Sequence, residues 1–252
     1  MTSKIFSFGG GVQSTAVMVL QAENVLHYDK FIFANVGDDS ENPGTLEYIE
    51  NVSKPFMEKY GIEFVELGSP RRDGKTLYQY AMTAKRSSGM VVYLGDHGPG
   101  HRECTVQYKI KNIERYKKKN GVAGCTQGIG ISLDEYQRMR NDPALEYPLI
   151  EMEITRRQCI RIIQGAGLPV PPPSSCWFCP FHRLDVWKEM ANRQPELFAK
   201  AVEMEKTLID RRLLNGHDEV YFTSYNRPLD QVIGLQGMLD FEEVCESGYC
   251  MV

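Results

Sequence analysis

The chain has 252 residues, of which 42% are hydrophobic and 25% charged, and its formal net charge at pH 7 is −4. These values are typical of an ordinary soluble globule with a substantial core, and they give no support for bulk nucleic-acid binding without a local basic patch. The sequence has neither a signal-peptide pattern nor an apolar run near about twenty residues, so we expect a cytoplasmic protein without membrane contact.

Strand-like and helix-like segments alternate along the first two thirds of the chain. The pattern predicts strands at 5–8, 30–36 and 62–67, one near 124–131, and a short one at 147–153. Helices are predicted at 14–22, 43–60, 106–119, 134–141 and 155–165. Between them, residues 68–102 are predicted to form a long loop over the carboxyl edge of the sheet, with a helical piece at 76–85. This alternation indicates a doubly wound, mostly parallel α/β sheet.

A proline run at 169–173 is predicted to be a rigid connector into a helical, cysteine-bearing C-terminal part. Residues 184–214 are expected to be mostly helical, with an interruption near Pro195. We therefore divide the chain into an α/β domain, 1–168, and a C-terminal region, 169–252, that packs on it and does not fold independently.

A glycine loop follows the first predicted strand, with the sequence Ser7-Phe8-Gly9-Gly10-Gly11-Val12-Gln13-Ser14-Thr15. Three glycines let the backbone turn sharply and approach a phosphate without Cβ clashes. The loop amides and the start of the next helix would form an anion-binding nest, to which the Ser7, Ser14 and Thr15 hydroxyls can donate. An ordinary turn in which Ser14 caps the helix gives the same pattern. We expect a bulky residue at position 10 to abolish phosphate binding and to leave the fold intact.

The loop resembles the S-G-G-x-D-S/T loop of the PP-loop ATP pyrophosphatases, and most closely the form found in PAPS-reductase-family proteins. In that alignment Gly9 replaces the first serine and Gln13 replaces the aspartate. The resemblance implies an adenine nucleotide alpha hydrolase-like fold that binds ATP, or a related adenine nucleotide, with Mg²⁺. It implies nucleotide contacts by Ser7, Phe8, Gly9, Gly10, Gly11, Gln13, Ser14 and Thr15.

The segment after the second predicted strand, 34–45, resembles the D-T-G-x-x-x-E-x-P-x-T motif of the same superfamily. The resemblance implies nucleotide contacts by Asn35 and Gly37 and a catalytic acid at Asp38. The acids here can also simply cap the following helix.

Two later segments resemble further motifs of the superfamily in the same order. Residues 101–110 resemble R-x-C-C/T-x-x-x-K, which implies a phosphate contact by Arg102 and a catalytic role for Lys109. Residues 128–138 resemble G-I-R-x-x-E-S-x-x-R, which implies contacts by Gly130, Glu135 and Arg138. The last two residues are also spaced to pair on one helix face. A basic stripe follows Lys109 and offers a contact for a nucleic acid, tRNA or DNA; it comprises Lys111, Arg115 and Lys117 to Lys119.

The seven cysteines favour a metal or redox site, because a reducing compartment disfavours structural disulfides. Cys176 and Cys179 form a C-x-x-C pair, a spacing that lets both thiolates bind one metal. Zinc is one alternative, with Cys104 and either His182 or a tail cysteine completing the set. Two other cysteines, at positions 125 and 159, are expected to be buried and inert.

In its cysteine pattern the chain resembles APS reductases and the sulfurtransferase branches of the superfamily. Those branches include tRNA thiolation and DNA phosphorothioation enzymes. The resemblance implies a [4Fe–4S] cluster on Cys104, Cys176 and Cys179, with Cys245 as the fourth ligand. Cys250, or an open iron site, is the alternative. The tail also resembles the cysteine segment of sulfonucleotide reductases, which implies a nucleophilic role for Cys250.

Three functions are therefore predicted. The first is ATP-dependent adenylation of a substrate with release of pyrophosphate, preparing it for sulfur transfer from a sulfur donor protein. The second is a thiol-dependent PAPS- or APS-type reductase in which Cys250 attacks a bound sulfate. The third is a nucleotide-binding or sequestering module without turnover.

Overall fold

The computed structural model describes residues 3–86 and 88–234, so Cys245 and Cys250 lie outside the described residues. The chain divides into two compact units. The first unit comprises the chain up to Gly74 together with Gln107–Ser175, and the second comprises Lys75–Val106 together with the chain from Cys176 onward. The first unit thus extends through the whole proline run, and the second includes residues 75–106 as well as the C-terminal region.

A five-stranded, all-parallel sheet forms the centre of the first unit, in the order β3-β2-β1-β4-β5. Its strands are Lys4–Ser7 (β1), Lys30–Ala34 (β2), Phe64–Leu67 (β3), Thr126–Ile129 (β4) and Leu145–Glu146 (β5). The strand order reverses at β1, which pairs with β2 on one side and with β4 on the other. The predicted doubly wound α/β fold is confirmed.

The helices of the chain occupy both units. The α-helices within the described residues are Val12–Ala22 (α1), Pro43–Tyr48 (α2), Lys54–Lys59 (α3), Leu77–Thr83 (α4), Lys111–Lys119 (α5), Pro148–Glu151 (α6), Arg156–Gly165 (α7), Leu184–Arg193 (α8), Pro195–Leu214 (α9) and Leu229–Gly234 (α10). None of the helices in the described ranges has the length and apolar character needed to span a membrane.

Both faces of the sheet are covered because its central strands are apolar on both sides, as parallel strands with helical crossovers require. Phe6, Phe31 and Phe33 point to one face, where they pack with α1 and α7. Ile5 and Ile32 point to the other face, where the core includes residues of α5. The glycine loop after β1 is therefore held between a buried strand and a buried helix.

Two predicted helices contain a π-helical turn, and one predicted strand is wrong. The helix predicted at 43–60 is broken in register by the π-helical turn Ile49–Ser53, and the one predicted at 106–119 begins with the π-helical turn Thr105–Ile110. Residues 147–153 do not form a strand, since Pro148 occupies the first turn of α6, a position where its fixed φ and missing N–H suit a helix. The pairing strand is β5, which ends just before that proline.

The second unit contains α4 and the helices from α8 onward, with the predicted interruption at Pro195 between α8 and α9 confirmed. Its core includes Trp187, which is fully buried. The Glu205 carboxylate on α9 is also fully buried, and it accepts hydrogen bonds from the backbone N–H groups of Phe222 and Leu229, both at 2.6 Å. Burial raises the pKa of Glu205 to about 7, while the two amide donors act in the opposite direction.

Candidate functional site

The glycine loop lies at the carboxyl end of β1, at the switch point where the strand order reverses. In open α/β sheets this is the crevice in which ligands bind. The first helical hydrogen bond of α1 runs from Thr15 N–H to Gly11 O at 2.9 Å. The amides of Val12, Gln13 and Ser14 precede that bond, so they are the donors that a helix leaves for an anion at its N-terminus.

The three glycines of the loop have different surroundings. A Cβ on Gly9 would meet no atom within 4 Å, so this position opens onto free space. Gly10 has a φ of +69°, and a Cβ there would lie 2.9 Å from both Thr45 Cγ2 and Ile49 Cδ1. The expectation that a bulky residue at position 10 would spare the fold is therefore wrong. The Cβ direction at Gly10 points into packed side chains, and Gly9 is the position that faces the open side of the loop.

The three hydroxyls of the loop also differ. Ser7 Oγ accepts a hydrogen bond from Gln127 Nε2 on β4 at 2.8 Å. Ser14 Oγ donates to Gly11 O at 3.0 Å and accepts from Gly11 N–H at 3.1 Å, so it closes the first turn of α1. The Thr15 hydroxyl is fully buried and has no hydrogen-bond partner within the described residues.

A second polar cluster follows β2. The side-chain amide of Asn35 donates to Asp38 Oδ1 and to Glu66 Oε1, each at 2.8 Å, and its oxygen accepts from Gly37 N–H at 2.8 Å. Gly37 has a φ of +127°, which glycine adopts readily, so the chain turns directly after the strand. Asp38 is left exposed at this edge of the sheet. Asn35 thus positions the predicted acid and is itself buried.

Lys109 faces a buried carboxylate that sequence reasoning did not single out. Its Nζ lies 3.5 Å from Glu41 Oε1; the Glu41 side chain is 1% exposed and that of Lys109 35%. The two charged atoms are close enough to form an ion pair but too far apart for a good hydrogen bond. Glu41 Oε1 has no hydrogen-bond partner within the described residues. A buried carboxylate requires a nearby cation, so Glu41 holds Lys109 close to the segment that follows β2.

The loop after β4 contacts the start of α1 through Gln13. Gln13 Nε2 donates to Glu135 Oε2 at 3.1 Å, and Gln13 Oε1 accepts from Arg156 Nη1 at 2.8 Å. Arg138 pairs with Glu135 at 2.9 Å, as their spacing predicted. Gly130 allows the loop after β4 to approach the start of α1, because a Cβ at this position would lie 3.4 Å from the Ser14 nitrogen. Two arginines and two carboxylates lie around this amide, since Asp134 Oδ1 also accepts a hydrogen bond from the Arg156 backbone N–H at 2.7 Å.

The proline run lies against the same loop. Tyr48 OH donates to Pro169 O at 2.7 Å, and Thr45 Oγ1 donates to Pro173 O at 3.3 Å. The next residue, Ser174, packs directly on Gly11, so that a Cβ on that glycine would overlap the serine hydroxyl. We refer to residues 169–174 as the proline strap. Sequence reasoning treated it only as a connector, and its contacts could not be read from composition.

The basic stripe is only partly exposed. On α5 the side chains of Lys111, Arg115, Lys118 and Lys119 are exposed, whereas Lys117 is 8% exposed and donates to Gln127 Oε1 at 3.4 Å. Arg115 also donates from Nη1 to Pro70 O at 2.8 Å. The exposed part of the stripe therefore excludes Lys117.

The C-x-x-C segment forms two consecutive tight turns in the second unit. Cys179 N–H donates to Cys176 O and His182 N–H donates to Cys179 O, both at 3.0 Å. The His182 ring is bonded through Nε2 to Cys176 O at 2.9 Å, and burial lowers its pKa. Between the cysteines, Trp177 and Phe178 are buried, and their rings are tilted against the Tyr78 ring at centroid distances of 5.6 and 6.0 Å.

Within residues 3–86 and 88–234, no three His, Cys, Asp or Glu side chains are grouped closely enough to hold a metal ion. Cys104, Cys176 and Cys179 are therefore not gathered as a three-ligand set, and Cys245 lies outside the described residues. The described residues alone do not form a site for a [4Fe–4S] cluster or zinc, so the metal site on these cysteines stays a prediction and no chemical step is assigned to it. In the same unit, Arg102 lies over the Phe181 ring, 5.1 Å from its centroid. The expected inert cysteines are confirmed as buried, and burial raises the pKa of Cys159 to about 12.

No family model and no curated protein matches the chain. Among solved structures, it is similar to the U34-tRNA thiolase NcsA from Methanococcus maripaludis, determined with its [4Fe-4S] cluster. The identity is 16% and the TM-score 0.46, and the match covers 86% of this chain and 73% of that one. At this level of similarity, no residue role in the present chain rests on the match.

Proposed function

We propose that the protein binds ATP at the switch point of its sheet and transfers AMP to an acceptor, with release of pyrophosphate, to prepare the acceptor for sulfur transfer. The observation that carries this proposal is the glycine loop between β1 and α1, placed where the strand order reverses. Two features support an anion there: the open space at Gly9 and the amides at the start of α1, which precede the first helical hydrogen bond.

Cationic side chains near the loop are available to the phosphates. Arg138 and Arg156 lie on the side of the loop that faces β4, with the carboxylates of Glu135 and Asp134 beside them. Lys109 lies near the segment that follows β2, with Glu41 holding it in place. Oriented amides and fixed cations stabilise the charge that develops on the phosphates without having to reorganise during the reaction.

The chemistry takes two steps. An acceptor oxygen attacks the α-phosphorus of ATP, the bond from that phosphorus to the α,β-bridging oxygen breaks, and pyrophosphate leaves with the electron pair. A sulfur nucleophile at the oxidation level of hydrosulfide then attacks the activated centre and displaces AMP. Mg²⁺ bound with the nucleotide would neutralise phosphate charge, and one or two carboxylates suffice for its protein ligands. The exposed Asp38 carboxylate is the ligand that we assign to it.

The acceptor that the surface fits best is a nucleic acid. The exposed basic side chains of α5 would contact its phosphates, and the net charge of −4 confines such binding to this local stripe. Neutralising two of these cations, for example Lys118 and Lys119, should leave ATP binding unchanged.

Product analysis tests the reaction. We expect the full-length protein, given ATP, Mg²⁺, a pool of tRNA or DNA and a sulfur source at the oxidation level of hydrosulfide, to release pyrophosphate and AMP. A chain truncated before Cys245 should retain ATP binding. Release of ADP and phosphate instead would contradict AMP transfer. Release of sulfite from a sulfonucleotide by the full-length chain, lost on truncation, would show that the reductase alternative is correct.

A further inference from the structure

The proline strap ends at the glycine loop with the Ser174 hydroxyl. Ser174 is half-buried, its side chain packs on Gly11, and it makes no hydrogen bond to any other described residue. A serine hydroxyl in contact with a phosphate-binding loop is a ready donor to a phosphate oxygen, and such charge-assisted bonds are stronger than neutral ones.

The strap that carries Ser174 is fixed at several points. Its carbonyls at positions 169 and 173 accept hydrogen bonds from Tyr48 and Thr45, both in α2. Pro172 packs beside Gly44, where a Cβ would lie 3.4 Å from Pro172 Cγ. Proline has a fixed φ and no N–H donor, so the strap needs few backbone partners and loses little entropy when it is ordered. Ser174 is thus presented to the loop by a preorganised segment.

We propose that Ser174 is a phosphate-binding residue, whose hydroxyl donates to an oxygen of the nucleotide phosphate held by the amides of the glycine loop. This inference rests on the proposed function, and it adds the strap to the nucleotide site. Gly11 is needed at its position because a side chain there would displace the Ser174 hydroxyl. The α1 side of the phosphate would be bound by amides, and the strap side by Ser174.

An isosteric pair of variants isolates the hydroxyl. Ser174→Thr keeps it and Ser174→Val replaces it with a methyl group, so the two variants share any packing change. By calorimetry, we expect Ser174→Val to bind ATP about tenfold more weakly than Ser174→Thr, the loss expected for one hydrogen bond to a charged group. Adenosine, which has no phosphate, should bind both variants equally. Ser175→Ala, at the neighbouring residue, serves as the control and should match the wild-type protein.

Three results distinguish a failure of the role of Ser174 from a failure of the proposed function. Equal ATP affinity in the Thr and Val variants would overturn the role of Ser174 while leaving the nucleotide site standing. Equal losses for ATP and adenosine would also overturn it, because the hydroxyl would then act on the strap and not on a phosphate. Absence of ATP binding by the wild-type protein would remove the proposed function itself.

Discussion

At the scale of single residues, adjacent glycines with the same sequence signature have different physical tasks. Gly10 is needed by the fold, because its positive φ and its contact with Thr45 and Ile49 leave no room for a side chain. Gly9 is not constrained in this way, so its lack of a side chain serves the open side of the loop. A sequence motif shows that glycines are present, but it does not show in which direction each missing Cβ would point.

Glu205 gives a pH dependence that can be measured. Its folded pKa of about 7 lies above the model-peptide value of 4.5, so the folded state binds the proton more tightly than the unfolded state. The stabilisation is therefore fully present below about pH 4.5 and is lost as the pH rises through about 7. A Glu205→Gln variant lacks this titration. Denaturation of both proteins between pH 5 and 8 should show the wild-type free energy of unfolding falling relative to the variant, by on the order of 3 kcal/mol. If the free energy of unfolding had the same pH dependence in both proteins, the raised pKa assigned to Glu205 would be contradicted.

Several site residues could be named from the sequence and several could not. Glu135 and Arg138 were predicted to pair, since an i,i+3 spacing is a local property. Glu41, Arg156 and Ser174 were missed because each gains its importance from a contact with a distant part of the chain. A buried carboxylate such as Glu41 looks in the sequence like any other acid near a helix start.

At the scale of elements, β1 to β4 were predicted because buried parallel strands are short apolar runs between turn residues, whereas the two-residue strand β5 was missed. The π-helical turns were not predicted, since hydrophobic periodicity hardly distinguishes them from an α-helix. The proline strap was identified as rigid from composition, yet its place against the glycine loop depends on hydrogen bonds from α2 that no local pattern encodes.

The C-x-x-C segment remains a predicted metal site, and the metal content of the purified protein tests it. We expect anaerobically purified protein to contain about four irons per chain, held by Cys104, Cys176, Cys179 and a tail cysteine. Cys176→Ala should remove the iron, whereas Cys159→Ala, at a buried cysteine of the other unit, should retain it. One zinc per chain would replace the cluster with a structural metal. Protein without either metal would agree with the absence of a three-ligand group among the described residues and would remove the site.

At the scale of the whole molecule, the order of strands decides where a ligand can bind. The sheet order β3-β2-β1-β4-β5 places the loops after β1 and β4 on either side of the switch point. The sequence predicts a doubly wound sheet from the alternation of strands and helices, because each crossover must cover a face of the sheet. It does not predict that residues 75–106 join the C-terminal region in a second unit, since that grouping depends on long-range contacts.

The central claim is that nucleotide phosphates bind on the open side of the glycine loop, and calorimetric titration with ATP tests it most directly. The informative variant is Gly9→Val, whose side chain would enter the open space that the phosphates need. Gly124→Val is the matched control, because that glycine also faces open space but precedes β4, at the amino edge of the sheet. We expect one ATP per chain for the wild-type protein and the control, and no measurable binding to Gly9→Val at unchanged thermal stability. Equal ATP affinity in all three proteins would contradict the account.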